Sequence, residues 1–390
     1  IRALTPSSNG LEKRPKLRFP GFDEPYRSTQ LGDIAALVNR TDPKSNAPIM
    51  MLSAGNGFIM QSEKYSRDNA GQSLKKYILL KQGELAYNHG ASKAKQFGCC
   101  YELTEPEARI PYVYHCFKIN NHEYTPFIAM ALNNAKMDKQ LKRLVSSSVR
   151  MDGLLNISFE DYMSVTIHLP SPSEQKHIAD FLQKIDERIA AQEKLLASLK
   201  KYKRGAIAHI LSGKSKEFSS ASSWMQKTLG DLCSEFRSGR NISSSLIHET
   251  GDYPVYGGNG IRGYCDRYSH EGEYVVIGRQ GALCGNVRII QGQNYLSEHA
   301  IAVRANADND TGFLLYLLDF MKLGQYSDQG AQPGLAVNKL LRLKCTVPDK
   351  NAQSKIASFL SRLDSQISNQ EKMLSILLNQ RKAFLQQLFI

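Results

Sequence analysis

The sequence predicts an α+β chain in which two β-rich globules alternate with two long helices. Two observations predict this arrangement: a segment with a helical heptad pattern occurs twice, and short apolar runs separated by glycine turns precede each copy. A length of 390 residues leaves room for two or three domains. We place an N-terminal segment at 1–25, globules at 26–170 and 218–348, a first helix with its linker at 171–217, and a second helix at 349–390.

The internal repeat is clearest in the two helical segments. Residues 170–199 (PSPSEQKHIADFLQKIDERIAAQEKLLASL) align without a gap on residues 348–377 (PDKNAQSKIASFLSRLDSQISNQEKMLSIL), so that Ile178 falls on Ile356, 178 positions later. A second match pairs the LGD sequence at 31–33 with the LGD sequence at 229–231. The chain therefore has the order of globule, helix, variant globule and similar helix.

Both helical segments carry apolar side chains in alternating steps of four and three, the spacing of a coiled-coil seam. Two polar interruptions, Gln192 with Gln370 and Lys203 with Arg381, fall at matching heptad positions. A polar seam residue costs stability unless it meets a partner, so we expect the two seams to face each other. Two independent amphipathic helices are the alternative. The predicted helix-pairing residues are Ile178, Leu182, Ile185, Ile189, Gln192, Leu196, Leu199, Ile356, Leu360, Leu363, Ile367, Gln370, Leu374 and Leu377.

Charge and composition indicate the class of partner. Lys and Arg outnumber Asp and Glu by 50 to 37, which gives a net charge of +13 and favours a polyanion such as nucleic acid. The seven cysteines include no CxxC pair, so we expect neither a disulfide framework nor a zinc finger, and a cytoplasmic setting. We find no apolar stretch of the ~18–20 residues that a membrane-spanning helix needs, and no signal peptide.

Basic and amide side chains cluster on loops bounded by glycine. Arg suits the guanine edge and Asn or Gln the adenine edge, so such loops could read bases in duplex DNA. Ordinary solvated turn residues are the alternative. The predicted DNA-binding residues are Asn88, His89, Lys93, Lys95, Arg150, Asn259, Arg262, Arg279, Gln280 and Gln332.

We find no catalytic constellation. The segment GNGIRG at 258–263 formally matches GxGxxG, but no helical pattern follows it, so we interpret it as a tight turn. The sequence has no P-loop, no GxSxG and no metal-spaced carboxylates, and the aligned Asp186 and Asp364 are interpreted as solvated helix positions. A binding chain is therefore favoured. A coiled-coil interaction scaffold and an enzyme that uses the glycine-rich segment remain the alternatives.

Several segments together resemble the DNA-specificity subunits of type I restriction–modification systems. They are KLRFPGF at 16–22, the two LGD sequences, GNGIRGY at 258–264, GEYVVIGRQGALCGNV at 272–287, and the helix openings EQKHIADFL and AQSKIASFL. Two positions depart from the pattern. Tyr26 stands where the family usually has the tryptophan seen at Trp224, and the second helix has Ala352 where the first has Glu174.

The resemblance implies a function for each part of the repeat. Each globule would be a target-recognition domain that reads one half of a bipartite DNA target. The helices would pair as an antiparallel coiled coil, set the spacer between the half-sites and dock methyltransferase subunits, two of them. The two halves would approach DNA with pseudo-twofold symmetry. S-adenosylmethionine, ATP and Mg would belong to methyltransferase and restriction/translocase partners, so this chain would be non-catalytic and would hold no cofactor.

Overall fold

The structure is a computed structural model that describes residues 2–3, 14–64, 71–92, 95–120, 122–145, 155–215, 224–281, 283–328 and 334–390. It contains two compact units. Unit 1 comprises residues 1–191 and 374–390, and unit 2 comprises residues 192–373. Each unit therefore combines one globule with part of each long helix, because both helices contribute side chains to both cores.

Unit 1 begins with strands β1 (Arg2–Ala3), β2 (Leu17–Arg18) and β3 (Arg27–Gln30), helix α1 (Leu31–Ile34), and strands β4 (Ala35–Leu37), β5 (Met50–Ser53) and β6 (Gly57–Met60). Helix α2 (Gln61–Lys64), a 3₁₀ helix (Gly71–Lys76) and strands β7 (Ile78–Lys81), β8 (Leu85–Asn88), β9 (Cys99–Glu102), β10 (Glu107–Ile110) and β11 (His115–Ile119) follow. Helices α3 (Thr125–Leu132), α4 (Ala135–Leu144) and α5 (Phe159–Met163) and strand β12 (Thr166–Leu169) complete the globule.

The long helix α6 (Pro172–Leu211) then passes from unit 1 into unit 2. Unit 2 contains β13 (Met225–Thr228), α7 (Leu229–Leu232), β14 (Cys233–Ser238), a 3₁₀ helix (Ser244–Leu246), β15 (Tyr253–Gly257), β16 (Gly260–Cys265), β17 (His270–Glu271), β18 (Tyr274–Gly278), β19 (Val287–Ile290), β20 (Gln293–Leu296) and β21 (Ala300–Ala305). Helix α8 (Thr311–Phe320), a 3₁₀ helix (Leu323–Tyr326), α9 (Val337–Leu341), β22 (Lys344–Val347) and the second long helix, α10 (Lys350–Leu388), complete the chain.

The central sheet of each unit has the same topology. In unit 1 the antiparallel order is β4-β11-β8-β9, and in unit 2 it is β14-β21-β18-β19. The same relation holds at the start of each long helix, where β3 pairs with β12 and β13 pairs with β22, both antiparallel. Unit 2 adds a second sheet of order β16-β15-β20-β17. The predicted α+β class and the internal repeat are confirmed.

A buried glutamine fixes the start of each long helix. The Gln175 amide donates to the Pro170 carbonyl (3.0 Å), and its oxygen accepts from the backbone N–H of Tyr124, which precedes α3 (2.9 Å). Gln353 repeats both bonds with Pro348 (2.9 Å) and with the N–H of Asp310 before α8 (3.0 Å). Each glutamine therefore joins a strand end, a long helix and the helix of its globule.

The predicted helix-pairing residues are buried or half-buried along α6 and α10. Gln370 accepts a bond of 2.6 Å from the Gln192 amide in unit 2. In unit 1 the rings of Phe181 and Phe384 meet edge to face at 5.0 Å, and Asp186 pairs with Arg381 further along, so these segments run antiparallel. Ile185, Gln192, Leu199, Gln370 and Leu374 are half-buried, and the fully buried positions are Ile178, Leu182, Ile189, Leu196, Ile356, Leu360, Leu363, Ile367 and Leu377.

The two aligned aspartates, interpreted as solvated helix positions, have side chains that are 37–40% exposed and in addition form ion pairs. Asp364 accepts a hydrogen bond from the Lys203 ammonium in unit 2, and Asp186 accepts two from the Arg381 guanidinium in unit 1. The two cationic interruptions therefore each meet a carboxylate of the other helix, whereas the two glutamines meet each other.

Candidate nucleic-acid interface

The loop that follows β18 in unit 2 holds Arg279 and Gln280 on a fixed backbone. The Arg279 N–H donates to the His299 carbonyl (2.9 Å), and its own carbonyl accepts from the Leu335 N–H (2.9 Å). The Gln280 side-chain oxygen lies 2.6 Å from Nδ1 of His299. Both predicted residues are half-exposed. The loop therefore presents a guanidinium and an amide from a backbone that is held on both sides.

Close glycine contacts bring the β15–β16 turn against this loop. A Cβ on Gly278 would lie 2.4 Å from the Gly258 carbonyl oxygen, so the two backbones can approach only because position 278 is glycine. Asn259 is exposed at the turn, and Arg262 is exposed two residues into β16. Two segments that are separate in the sequence thus place predicted residues at one edge of unit 2. The GNGIRG segment lies in this hairpin, with no helix after it.

Two further arginines at this edge were not predicted. The guanidinium of Arg288 lies so close to Gly260 that a Cβ there would be 2.5 Å from Nη1. The exposed Arg240 follows β14, and its N–H donates to the Leu296 carbonyl (2.8 Å). The prediction selected residues on glycine-bounded loops. It therefore missed Arg288, which is within a strand, and Arg240, which is on a different loop. The charge of Arg288 within the otherwise apolar β19 was a usable signal.

The edge of unit 2 is consequently cationic. We refer to Arg240, Arg262, Arg279 and Arg288 as the arginine edge. Within the part of the chain that the structure describes, none of the four forms a salt bridge with a carboxylate; Arg279 donates to the backbone carbonyl of Glu298 (3.4 Å). Four guanidinium groups without a bonded carboxylate can donate hydrogen bonds to phosphate oxygens or to O6 and N7 of guanine.

A comparison with known proteins decides the family. The family model described as type I restriction modification DNA specificity domain matches residues 26–201 and matches again over residues 221–377. The chain belongs to this family. The description names DNA specificity and no catalytic activity, and the two matches correspond to the two copies of the internal repeat.

Curated specificity subunits match part of the chain. The EcoprrI type I restriction enzyme specificity subunit of Escherichia coli is 45% identical over 144 residues, 36% of this chain and 36% of that protein. A putative type I restriction enzyme specificity subunit of Haemophilus influenzae is 26% identical over 140 residues, 35% of this chain and 36% of that protein. The chain thus spans about a third of the length of these relatives in the matches.

Solved structures share the fold over almost the whole chain. The crystal structure of a type I restriction-modification system S subunit from M. genitalium covers 96% of this chain and 99% of that chain, with a TM-score of 0.67 and 18% identity. A second, from work on complex assembly and conformational transition of the type I R-M system, covers 95% of this chain with a TM-score of 0.52 and 14% identity. At these identities the likeness shows the fold alone.

The first specificity domain of the chain holds its predicted residues differently. Asn88 is half-exposed at the end of β8, the strand equivalent to β18, and its side-chain oxygen accepts from the Gly90 N–H (2.9 Å). His89 is buried, with its ring 5.0 Å from that of His115. The ammonium of Lys95 donates to the Asn133 carbonyl (2.7 Å), and burial lowers its pKa.

His89 and Lys95 therefore have roles inside unit 1. The burial of His89 argues against contact with a base edge, because the ring would have to leave the core. The Lys95 ammonium is already bonded to the backbone, whereas the bond that the half-exposed Asn88 makes to Gly90 uses only its side-chain oxygen and not its NH2 group. Lys93, Arg150 and Gln332 lie outside the described residues.

Among the described residues, no cluster of three or more His, Cys, Asp or Glu side chains has the proximity that a metal ion requires. In the same ranges, no helix combines the length and apolar character needed to span a bilayer.

Proposed function

We propose that this specificity-domain chain gives a type I restriction–modification complex its DNA sequence, and that each unit reads one half of a bipartite target. One observation carries the proposal. The predicted reading loop of unit 1 follows β8 and that of unit 2 follows β18, and these strands occupy equivalent positions in two four-stranded sheets of the same order. A repeated framework with different side chains at that point suits two half-sites of different sequence.

The chemistry of the two loops supports an asymmetric target. Unit 2 offers the arginine edge, and arginine pairs with guanine O6 and N7 or with phosphate. Unit 1 offers Asn88, whose amide suits the adenine edge. We therefore propose that the unit 2 half-site contains guanine at the position contacted by Arg279.

The rest of the complex follows as part of the same proposal. The paired helices α6 and α10 would set the spacer and dock two methyltransferase subunits, with restriction/translocase subunits joining the full complex. Methylation with S-adenosylmethionine and DNA cleavage with ATP and Mg would take place on those partners, so this chain would be non-catalytic. The seven cysteines are free thiols, which suits the reducing cytoplasm.

Selection from random duplex DNA tests the proposal. The full chain, alone and then with a methyltransferase subunit, should enrich two short fixed sequences around a spacer of constant length and free sequence. Salt-sensitive binding without an enriched sequence would reduce the chain to a basic surface and would favour an interaction scaffold. Tight nucleotide binding by the chain alone would favour an enzyme.

A paired insertion tests the spacer role. Gln192 and Gln370 face each other on antiparallel segments, so one heptad inserted after Gln192 and one inserted before Gln370 lengthen both helices at the same level. Seven helical residues add ~10 Å, which is roughly three base pairs of duplex at ~3.4 Å each. We expect the selected spacer to grow by about three base pairs. An unchanged spacer in a folded, DNA-binding variant would contradict the ruler role.

A further inference from the structure

The described residues of unit 2 line an open cavity, and none of the predicted DNA-binding residues is among them. Its volume is about 700 Å³, and it lies along the last turns of α6 beside the start of α10. The side chains around it are mainly apolar or aromatic. Its lining includes Lys201, Tyr202, Ala206, His209, Ile210 and Phe359.

The internal repeat shows what fills the corresponding place in unit 1. Phe359 corresponds to Phe181, and Ala206 corresponds to Phe384, each pair 178 positions apart. In unit 1 the Phe181 ring meets Phe384 at 5.0 Å and also meets Phe19, from the N-terminal LRFPGF segment, at 5.5 Å. Phe181 thus packs against two rings, one from α10 and one from an extended segment.

The same segment makes a second aromatic contact in unit 1. Phe22 lies 5.3 Å from the ring of His177, one helical turn before Phe181. Two phenylalanines separated by Pro-Gly therefore cover the outer face of the first turns of α6. In unit 2 alanine replaces the helix-borne ring, and Phe359 lines the cavity instead.

The end of α6 that lines the cavity is strongly basic. Residues 198–215 contain five Lys or Arg and no Asp or Glu. Lys200 and Lys203 face Glu371 and Asp364, whereas Lys201 lines the cavity. The buried Glu174 that binds Arg18 in unit 1 corresponds to Ala352, so unit 2 lacks that acceptor for a cation.

We propose that this cavity is a docking site for an extended segment of a partner protein that carries two aromatic side chains in a Phe-Pro-Gly-Phe-like arrangement and acidic flanking residues. The aromatic rings would pack on Phe359 and Tyr202 as Phe19 packs on Phe181. The acidic flanks would complement the basic end of α6. An apolar pocket with a basic rim fits such a peptide better than duplex DNA, whose exposed surface is a phosphate backbone.

Peptide binding to the full chain tests this proposal. The probe is a fluorescein-labelled peptide EEFPGFDE, measured by fluorescence anisotropy. Two matched peptides separate the two contributions: EEAPGADE lacks both rings, and KKFPGFKK reverses the flanking charge. We expect each of these to bind at least about 10-fold more weakly than the probe, since a buried aromatic anchor dominates such interfaces.

Substitutions locate the site. Ala206→Phe supplies the ring that Phe384 supplies in unit 1, and should fill the cavity and weaken probe binding about 10-fold or more. Ala208→Phe, on the same helix but outside the lining, is the matched control and should bind normally. Lys201→Glu changes an exposed residue and keeps the test valid if Ala206→Phe does not fold. Lys201→Glu should weaken binding of the probe more than Arg204→Glu does.

Three results would overturn the proposal. Equal binding of EEFPGFDE and EEAPGADE would show that the cavity takes no aromatic ring. Normal probe binding by Ala206→Phe and Lys201→Glu would place the peptide elsewhere. Loss of duplex DNA affinity in Ala206→Phe, with no loss of probe binding, would assign this face to DNA. None of these readouts depends on which DNA sequence the chain selects, so failure here leaves the proposed function intact.

Discussion

Unit 1 and unit 2 share a framework and differ at its surface. Both have a four-stranded sheet of the same order, a short LGD helix, and a buried glutamine at the start of a long helix. They differ in the loop after the central strand, where unit 1 has Asn88 and a buried His89, whereas unit 2 has Arg279 on the arginine edge. Features that hold the globule to the helices are repeated, whereas features that can contact a ligand are not.

A second difference lies at the helix starts. In unit 1 Arg18 donates two bonds of 2.8 Å to Glu174, and both side chains are buried, at 2% and 0% exposure. The Tyr26 hydroxyl lies 3.4 Å from both the Glu174 carboxylate and the Leu388 carbonyl, and burial raises its pKa. Unit 2 has Ala352 in place of Glu174. Among the described residues, a buried ion pair at the start of a long helix is therefore found in unit 1 and has no counterpart in unit 2.

Breaking this ion pair, which unit 2 does not share, should have the largest effect on stability. Glu174→Ala leaves the Arg18 guanidinium buried without its carboxylate, and we expect it to lower the free energy of unfolding by ~3–5 kcal/mol. Urea denaturation measures the change. Asp180→Ala removes an exposed pair with Lys176 on the same helix and should cost less than ~1 kcal/mol. Equal effects of the two substitutions would contradict the assigned role of the buried pair.

The glutamines should show the opposite behaviour, namely equal effects in the two units. Gln175→Ala and Gln353→Ala each leave a buried Pro carbonyl and a backbone N–H without their amide partner. We expect each to lower the free energy of unfolding by ~1–3 kcal/mol, again measured in urea. Gln183→Ala, an exposed position on α6, should change it by less than ~0.5 kcal/mol. A large effect in one unit only would show that the frameworks are not equivalent.

The reading loops should respond differently in DNA binding. Arg279→Ala should reduce discrimination at one position of one half-site by ~1–3 kcal/mol, measured by titrating duplexes with single base changes. Lys95→Ala removes an internal bond and should leave base preference unchanged. If Arg279→Ala weakened binding equally for all sequences, Arg279 would be a phosphate contact.

The two ion pairs between α6 and α10 should give the smallest effects. Lys203 with Asp364 and Arg381 with Asp186 are related by the repeat, and their side chains are 25–40% exposed. Because solvent screens such pairs, a double-mutant cycle with alanine should give a coupling energy below ~1 kcal/mol for each pair. Coupling in one pair alone would show that the antiparallel match is unequal in the two units.

The sequence by itself determined the repeat and the two long helices, and it predicted the residues of their seam. These features depend on periodicity and on side-chain type, which a linear sequence displays directly. It also identified Gln192 and Gln370 as partners, because both interrupt the same heptad position. The interpretation of Asp186 and Asp364 as solvated positions did not include their ion pairs, because the partner of each lies on the other helix, about 160–195 residues away.

Only the tertiary structure decided which loops meet and which predicted residues are accessible. The glycines at 258 and 278 let two backbones approach and so bring the turn that carries Asn259 against the loop that carries Arg279, which depends on steric fit between distant segments. The core of unit 1 encloses His89 although its sequence context resembles an exposed turn. Burial, unlike periodicity, depends on what the rest of the chain places around a residue.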